Sequence, residues 1–126
     1  ALNYASSGPV LRGSGIRYDL RKVDKYSVYG EIDFKVPIGE GAMGTVGDCW
    51  DRNHVRLSEV KESIHIIKQC LEKLKGLHKR TKDFDPQGMV PKRIRVKPGQ
   101  YYVRAENPKG ELGFYFVSEG RGEVPF

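Results

Sequence analysis

The sequence is poor in cysteine, and its few thiols and imidazoles are not spaced for metal binding. Its 126 residues contain two cysteines, Cys49 and Cys70, and three histidines. The cysteines do not form a C-x-x-C pair, and no H-x-x-x-H or H-E-x-x-H pair is present. A small disulfide-stabilised domain would normally contain more cysteines. We therefore expect reduced thiols in a cytosolic compartment, without a disulfide framework or a metal site.

Long hydrophobic runs are also missing. No stretch approaches the roughly 20 apolar residues that a membrane-spanning helix requires, so we expect no transmembrane segment. The first residues have neither the basic region nor the apolar core of a signal peptide. The chain lacks an initiator methionine and stops at Phe126 directly after a strand-like run. We expect both ends to be edges of a longer polypeptide.

Apolar residues are scarce for a chain of this length. Hydrophobic residues make up 38% of the sequence and charged residues 30%, with 15 glycines and 7 prolines. These glycines and prolines exceed the average share of roughly 12%, which indicates many loops around a thin core. The net charge of +6 favours nucleic acid, anionic lipid or acidic protein surfaces as partners, without choosing among them. A solvated basic face explains the charge equally well.

The strongest local pattern is an apolar stripe with helical spacing. Its members are Trp50, Leu57, Val60, Ile64, Ile67, Leu71 and Leu74. This spacing predicts an amphipathic α-helix from about residue 49 to residue 75. Asp48 is suited to cap its start, Asp51 lies in its first turn and Gly76 is suited to end it. The simplest interpretation of the stripe is a core face. In a piece of a larger protein the same stripe would be poorly covered and would favour association.

The segments outside this helix have weaker patterns. Residues 26–38 place β-forming side chains at mostly even spacing, which predicts an edge strand limited by Pro37. Residues 1–25 show no regular period and are expected to be irregular. Residues 77–92 are expected to form a loop, and residues 93–97 a short strand.

A β-hairpin is predicted near the C-terminus. Residues 101–106 and 112–117 alternate between two faces on either side of a turn at residues 107–110. We expect its aromatic face to pack on the helix. The predicted fold class is α+β: one long amphipathic helix, a C-terminal hairpin and long loops. These form one partial domain over residues 1–126, with no internal boundary.

A glycine-rich loop over residues 39–46 matches the G-x-G-x-x-G-x-V loop of protein kinases, and its first six residues match the dinucleotide fingerprint. In both settings, glycines let backbone N–H groups approach phosphate oxygens. The kinase lysine and the later kinase motifs are absent. The position where the dinucleotide motif needs an acidic residue lies inside the predicted helix. Nucleotide binding is therefore not predicted.

Basic residues beside the aromatic hairpin supply a second hypothesis of function. Lys92, Arg93, Arg95 and Lys97 precede the hairpin, and aromatic side chains on a sheet can stack bases while basic ones hold phosphates. No known RNA-binding run is present, and one hairpin is not a four-stranded platform. A small basic nucleic-acid- or protein-binding module remains the alternative, and salt-dependent retention of RNA would support it.

Three runs carry a family resemblance. The first is S-G-P-V-L-R-G-S-G-I-R-Y-D-L-R-K over residues 7–22. The second is V-P at 36–37, then G-D-C-W-D-R at 47–52, continuing to Gln69. The third is P-K-G-E-L-G-F-Y at 108–115, followed by V-S at 117–118. In this order they closely resemble the 49-kDa, or D-type, subunit of NADH–quinone oxidoreductase (respiratory complex I). The family's N-terminal H-P-x-x-H-G segment is not in this chain.

The resemblance implies a piece of a fold like the large subunit of nickel–iron hydrogenases, without the metal. It implies a subunit that forms the quinone-reduction cavity and passes electrons from a neighbouring iron–sulfur cluster to quinone, coupled to proton translocation. The chain itself would bind no cofactor, because the FMN and the iron–sulfur clusters belong to partner subunits. Its partners would be the iron–sulfur subunit carrying the terminal cluster, other peripheral-arm subunits and quinone, and not nucleic acid.

The resemblance also implies a peripheral position at the cytoplasmic face of the bacterial inner membrane, or its matrix or stromal equivalent. It identifies the chain as an enzyme subunit, and we expect the piece alone to be inactive. No catalytic residue is assigned.

Some residue roles follow from the resemblance. The family's G-D-x-x-D-R-x-x-x-R run contains Asp48, Asp51, Arg52 and Arg56. These residues, with Arg12, Arg17 and Arg21 in the glycine-rich first run, are candidates for structural or interface ion pairs. Lys109 and Glu111 on the hairpin turn are candidates for the quinone cavity or for contact with an adjoining subunit. A plain turn lysine is the alternative for Lys109.

Overall fold

The computed structural model describes residues 1–78 and 96–120, apart from the side chains of Leu2 and of residues 76–78. Within these residues lie the helices α1 (Gly8–Gly13), α2 (Leu20–Val23) and α3 (Cys49–His78), and the strands β1 (Gly99–Asn107) and β2 (Gly110–Ser118). Short 3₁₀ helices cover Leu2–Tyr4 and Tyr29–Glu31. The described part is therefore an α+β structure with one long helix and one antiparallel pair of strands, as predicted.

Helix α3 confirms the prediction of a long helix. It begins at Cys49, and the Asp48 carboxylate accepts a hydrogen bond from the backbone N–H of Asp51 at 2.8 Å. This bond satisfies one of the free N–H groups of the first turn, so Asp48 is the predicted N-cap. The predicted end at Gly76 is wrong, because the helix continues to His78. The predicted loop over 77–92 and the predicted strand over 93–97 lie largely outside the described residues.

The N-terminal segment is more regular than predicted. Helix α1 has Pro9 in its first turn, where the missing N–H costs nothing. Helix α2 is capped by Asp19, whose side chain accepts a hydrogen bond from the Arg21 backbone. These helices have 6 and 4 residues. They are too short to show a helical period, which is why the sequence predicts an irregular segment here.

The predicted edge strand over residues 26–38 is wrong, although its alternation is real. Ile32, Phe34 and Val36 are buried, while Asp33 and Lys35 between them are exposed. The segment contains the 3₁₀ helix Tyr29–Glu31 and then runs along α3 without forming a strand. The buried side chains pack with Ile66 of α3 into the hydrophobic core.

Side chains of α3 bond the backbone of this segment in place of a neighbouring strand. The backbone N–H of Asp33 donates to Gln69 Oε1 at 3.0 Å, and Gln69 Nε2 donates to the Asp33 carbonyl at 2.5 Å. The backbone N–H of Lys35 donates to the Glu62 carboxylate at 2.9 Å. These polar side chains satisfy backbone groups that a sheet would otherwise have to pair.

From Leu57 onward the apolar stripe of α3 faces away from the rest of the described chain, whereas Trp50 at its start also borders an open groove against residues 34–42. Its residues are between 40% and 57% exposed: Trp50, Leu57, Val60, Ile64, Ile67, Leu71 and Leu74. The buried residues Asp51, Val55 and Ile66 lie on the opposite side of the helix. Within residues 1–78 and 96–120 the stripe is therefore not a core face, contrary to the simplest interpretation. The expectation of a poorly covered stripe is confirmed.

The hairpin and its turn at residues 107–110 are confirmed. Residues 101–106 pair with residues 111–116, and Asn107 pairs with Gly110 across the turn. Its orientation differs from the prediction: Val103 and Phe114 on the apolar face are 59% and 63% exposed. On the other face, Arg104 donates a hydrogen bond to Asp24 and Glu106 accepts one from Arg12, both in the N-terminal segment. The Glu106 side chain is nearly buried, and burying its carboxylate without such a partner would cost free energy.

Candidate functional site

A buried arginine joins the N-terminal segment, helix α3 and the hairpin. Arg12 in α1 is 2% exposed. Its Nε donates to Glu59 Oε1 of α3 at 2.5 Å, and its Nη1 donates to Glu106 Oε1 of β1 at 2.9 Å. Nη1 also donates to the Tyr18 carbonyl at 2.9 Å. We call Arg12, Glu59, Glu106 and Asp19 the Arg12 cluster, because one guanidinium holds three elements that are distant in sequence.

Asp19 completes the Arg12 cluster on its other side. Its Oδ2 lies 3.8 Å from Arg12 Nη1, and its two carboxylate oxygens accept bonds from Arg21 Nε at 2.9 Å and Nη2 at 2.6 Å. Burial alone would raise the pKa of Asp19, but the hydrogen bonds and charge of Arg21 outweigh it and lower that pKa. Burial likewise opposes the charge of Arg12, yet the hydrogen bonds to Glu59 and Glu106 raise the pKa of its guanidinium. Both pKa shifts favour the charged forms of Arg12 and Asp19.

The lowered pKa of Asp19 gives a pH-dependent contribution to stability. A carboxylate with a lower pKa in the folded state stabilises the fold above its unfolded pKa of about 3.9. This stabilisation is lost as the pH falls through the folded pKa. We expect the free energies of unfolding of the wild type and of Asp19→Asn to differ by a constant amount above about pH 5, and to converge below about pH 4. Urea titrations from pH 7 to pH 3 measure this difference.

Asp33→Asn is the matched control for that series, because Asp33 is exposed and only its backbone is hydrogen-bonded. We expect it to differ little from the wild type at every pH. A difference between Asp19→Asn and the wild type that does not change with pH would contradict the assignment of the acid-sensitive contribution to Asp19.

The glycine-rich loop already has an internal anion. The Asp51 carboxylate is buried, and its Oδ2 accepts hydrogen bonds from the backbone N–H groups of Gly41 at 2.9 Å and Gly47 at 3.1 Å. In phosphate-binding loops such N–H groups bind the ligand. Here the first turn of α3 supplies a carboxylate oxygen to the N–H of Gly41 within the loop and to that of Gly47 directly after it, so these two donors are not available to a phosphate.

The tip of the hairpin is docked on the start of α1. Ser7 Oγ accepts a hydrogen bond from the Glu111 backbone N–H at 2.8 Å. Gly8 has a φ of 63°, and a Cβ atom there would overlap the backbone of Gly110. The close approach thus depends on the missing side chain at Gly8. It fixes the position of the turn at residues 108–109 relative to the N-terminal segment.

The two predicted turn residues have different environments. The side chain of Glu111 is engaged: its Oε1 accepts a hydrogen bond from the Tyr102 hydroxyl at 2.8 Å, and its Oε2 lies 3.6 Å from Arg104 Nη1. Lys109 is exposed, and its ammonium contacts no partner among the described residues. Of the two, Lys109 is therefore the group available to a ligand or to another subunit.

The residues predicted to form ion pairs lie in different parts of the structure and have different partners. Arg12 and Arg21 lie in or beside the Arg12 cluster. Arg17 is exposed. Asp48 and Asp51 bond backbone N–H groups at the start of α3. The remaining two are exposed and donate to backbone carbonyls, Arg52 to that of Gly47 at 3.1 Å and Arg56 to that of Arg52 at 3.1 Å. Neither forms an ion pair within residues 1–78 and 96–120, so for them an interface ion pair stays a prediction.

Sequence reasoning missed the acidic partners of Arg12. Glu59 lies on the side of α3 opposite the apolar stripe, where the helical period predicts solvent exposure. Glu106 alternates with apolar residues on a strand and gives no signal of burial. Their pairing with Arg12 joins positions 47 and 94 residues apart. Local periodicity carries no information on contacts of that range.

An open groove of about 670 Å³ lies between residues 34–42 and the start of α3. Its apolar wall includes Phe34 and Trp50. The ring of Trp50 stacks on the ring of His54, with 4.7 Å between the ring centroids. Its rim mixes Lys22 and Lys35 with acidic residues, so it favours no single ligand charge. Among the described residues, no three or more His, Cys, Asp or Glu side chains are grouped to hold a metal. No helix of the described part has the length and apolarity needed to cross a membrane.

Comparison with known proteins gives one family over the whole chain. The family described as the 49 Kd subunit of respiratory-chain NADH dehydrogenase matches residues 1–126. A D-type NADH-quinone oxidoreductase subunit of Cytophaga hutchinsonii is 64% identical over 126 residues, which are 100% of this chain and 32% of that protein. The D-type subunit of Amoebophilus asiaticus is 57% identical over 99% of this chain and 31% of that protein.

The D-type subunit of Chlorobium phaeovibrioides is 52% identical, over 99% of this chain and 30% of its own length. The chain thus spans about a third of the length of these relatives. The family match extends from the first residue to the last, and it includes the three sequence runs, the Arg12 cluster and the docked hairpin. The chain belongs to the family of the 49 Kd subunit of respiratory-chain NADH dehydrogenase.

Proposed function

We propose that this chain is part of the subunit of NADH–quinone oxidoreductase that forms the quinone-reduction cavity. The observation that carries the proposal is the family match over all 126 residues, with 64% identity to a protein named as a D-type subunit of that enzyme. The complete subunit would pass electrons from an iron–sulfur cluster in a neighbouring subunit to quinone, coupled to proton translocation. The chain alone, as one part of the cavity wall, would be inactive.

The same proposal implies which subunits hold the cofactors, which proteins are the partners of this chain and where in the cell the assembly lies. FMN and the iron–sulfur clusters would be held by partner subunits, and quinone would be the substrate of the assembly. The iron–sulfur subunit carrying the terminal cluster and other peripheral-arm subunits would be the partners. The assembly would place this chain peripherally at the cytoplasmic face of the bacterial inner membrane, or its organellar equivalent. Residues 1–126 would be part of one domain with a fold like that of the nickel–iron hydrogenase large subunit.

Within this proposal, Lys109 is the stronger candidate for contact with quinone or with an adjoining subunit. Its ammonium is exposed and contacts no partner within the described ranges, while Glu111 is bonded to Tyr102 and lies near Arg104. The turn that carries Lys109 is held firmly by Ser7 and Gly8. A rigidly positioned, unpaired cation can donate hydrogen bonds to a quinone oxygen or pair with an acidic group.

The experiment replaces the matched residues of the Cytophaga hutchinsonii subunit with this chain and measures NADH oxidation by quinone in the assembled complex. We expect activity well above that of a complex lacking the subunit. Lys109→Gln is expected to raise the KM for quinone about three- to tenfold and to leave the KM for NADH unchanged, since only quinone binding loses a contact. Lys97→Gln, at an exposed lysine before β1, is the matched control and should change neither constant.

The outcomes separate the hypotheses. Loss of assembly in Lys109→Gln, with normal constants in whatever complex forms, would assign Lys109 to a subunit interface. An assembled chimera no more active than the complex without the subunit would contradict the proposed function. Salt-dependent retention of RNA by the purified chain would then favour the nucleic-acid-binding alternative.

A further inference from the structure

The apolar stripe of α3 follows a seven-residue repeat. With Trp50 at position a, the a positions are Trp50, Leu57, Ile64 and Leu71, and the d positions are Asn53, Val60, Ile67 and Leu74, so the seam is apolar without a break from Leu57 to Leu74. Apolar residues at a and d form the seam along which two helices pack, with knobs of one in holes of the other and axes crossing at about 20°. The stripe therefore has the form of a seam for one long helix.

The opposite side of α3 is already occupied. Val55 and Ile66 are buried there, and Glu59, Glu62 and Gln69 bond the N-terminal segment and the extended chain after it. One face of α3 is thus packed on other residues of this chain, and the opposite face is exposed in the described structure. From Leu57 to Leu74 this seam is about 26 Å long at 1.5 Å per residue, and the described residues leave it uncovered. Such a seam exceeds the scattered apolar exposure that is ordinary for a soluble monomer.

The edges of the seam are basic. The e positions are His54, Lys61, Lys68 and Lys75, and the g positions from the second turn are Arg56, Ser63 and Cys70. Lys75 pairs with Glu72 at 2.8 Å, while Lys61 and Lys68 have no ion pair in the described part of the chain. Charges at e and g determine which helix can pack on a seam, because they face the edges of the partner.

A second copy of this chain fits the seam poorly. In a parallel pair of α3 helices, Lys61 would face Arg56 of the other copy, since e positions lie opposite g positions. In an antiparallel pair the lysines at e would face one another. The parallel arrangement brings one pair of like charges together and the antiparallel arrangement brings the lysines together, and both disfavour association. A helix with acidic residues at the positions facing Lys61 and Lys68 would pair with these lysines and fit the seam better.

We propose that the seam of α3 packs against an α-helix with acidic edges, from the part of the longer D-type polypeptide that this chain does not span. This rests on the proposed function, in which the chain is one part of that longer subunit. The relatives extend well beyond this chain, which covers 32% of the Cytophaga hutchinsonii protein. A long, continuous apolar seam resembles the core of a single domain and not the polar surface of a transient contact.

The test compares labelling of a single cysteine in two polypeptides, in a background with Cys49→Ser and Cys70→Ala. One polypeptide is the 126-residue chain, and the other is the same chain placed in the full-length Cytophaga hutchinsonii subunit, without other subunits. Ile64→Cys reports on the seam, and His65→Cys beside it is exposed and lies off the seam. Val55→Cys, which is buried, reports that α3 remains folded. A maleimide modifies the cysteine, and peptide mass spectrometry reads the rate.

We expect labelling of Ile64→Cys to be at least about tenfold slower in the full-length polypeptide than in the short chain, since the seam must open before the thiol reacts. His65→Cys should react at the same rate in both, and Val55→Cys should be slow in both. Equal rates for Ile64→Cys would overturn the proposal. So would protection that depends on the concentration of the short chain, which would indicate a second copy, or protection that requires other subunits of the complex.

Charge reversal tests the acidic edge independently. Lys61→Glu combined with Lys68→Glu should lower the urea midpoint of the full-length polypeptide and leave that of the short chain nearly unchanged, because only the former holds the partner helix. Equal shifts in both polypeptides would overturn the assignment of an acidic edge. These measurements need no enzymatic activity, so an inactive complex with a protected seam would refute the proposed quinone-reducing activity and leave intact the chain's place in the longer subunit, on which alone this inference rests.

Discussion

Replacing Arg12 with methionine is expected to lower the free energy of unfolding by about 3–5 kcal/mol, the usual cost of removing one partner from a buried charge network. Methionine keeps much of the apolar volume but leaves the carboxylates of Glu59 and Glu106 without the guanidinium that they accept bonds from. The Tyr18 carbonyl loses its donor as well. A small domain is stable by about 5–15 kcal/mol, so this loss is large enough to leave the chain partly unfolded. Urea unfolding followed by circular dichroism measures it.

Arg56→Met is the matched control for the Arg12 substitution. Arg56 is exposed, and its guanidinium donates to the carbonyl of Arg52 one turn earlier in the same helix. Its replacement is expected to change the free energy of unfolding by no more than about 0.5 kcal/mol, as is usual for exposed sites. If the two substitutions cost the same, Arg12 does not hold α1, α3 and β1 together as the distances indicate.

Replacing Gly8 with alanine is expected to cost about 2–4 kcal/mol, from backbone strain and overpacking together. The φ of 63° is one that L-residues adopt at a cost, and the added Cβ would overlap the backbone of Gly110 while lying 3.0 Å from the carbonyl carbon of Lys109. The hairpin tip must move away, which breaks the bond from the Glu111 amide to Ser7 Oγ. Faster hydrogen exchange of the Glu111 amide should accompany the loss of stability.

Gly30→Ala controls for the general effect of adding a methyl group to a glycine. The nearest atom to a Cβ at Gly30 is Cβ of Lys25 at 3.7 Å, which is an ordinary van der Waals contact. We expect a change within about 0.5 kcal/mol, because neither strain nor overlap arises there. Equal exchange rates of the Glu111 amide in wild type and Gly8→Ala would show that the tip does not depend on the close approach.

Resemblance and local pattern predict different parts of this protein. The three ordered runs identify the family, and the comparison over the whole chain confirms it. The helix Cys49–His78 and the hairpin are predictable from period and turn chemistry, since these elements are stabilised by contacts between residues close in sequence. The alternation in residues 32–36 correctly indicates one buried face, but the segment bonds to side chains of α3 and not to a strand.

The sequence by itself determined the family, the long helix with its cap at Asp48, and the hairpin with its turn, because each depends on spacing along the chain. Only the tertiary structure decided which face of α3 is buried and which carboxylates hold Arg12. It also decided that Asp51 accepts hydrogen bonds from the amides of Gly41 and Gly47. The physical reason is that an apolar stripe predicts burial but does not identify the surface that covers it. A buried charge is stable only where the fold brings counter-charges from residues distant in sequence to within hydrogen-bond distance.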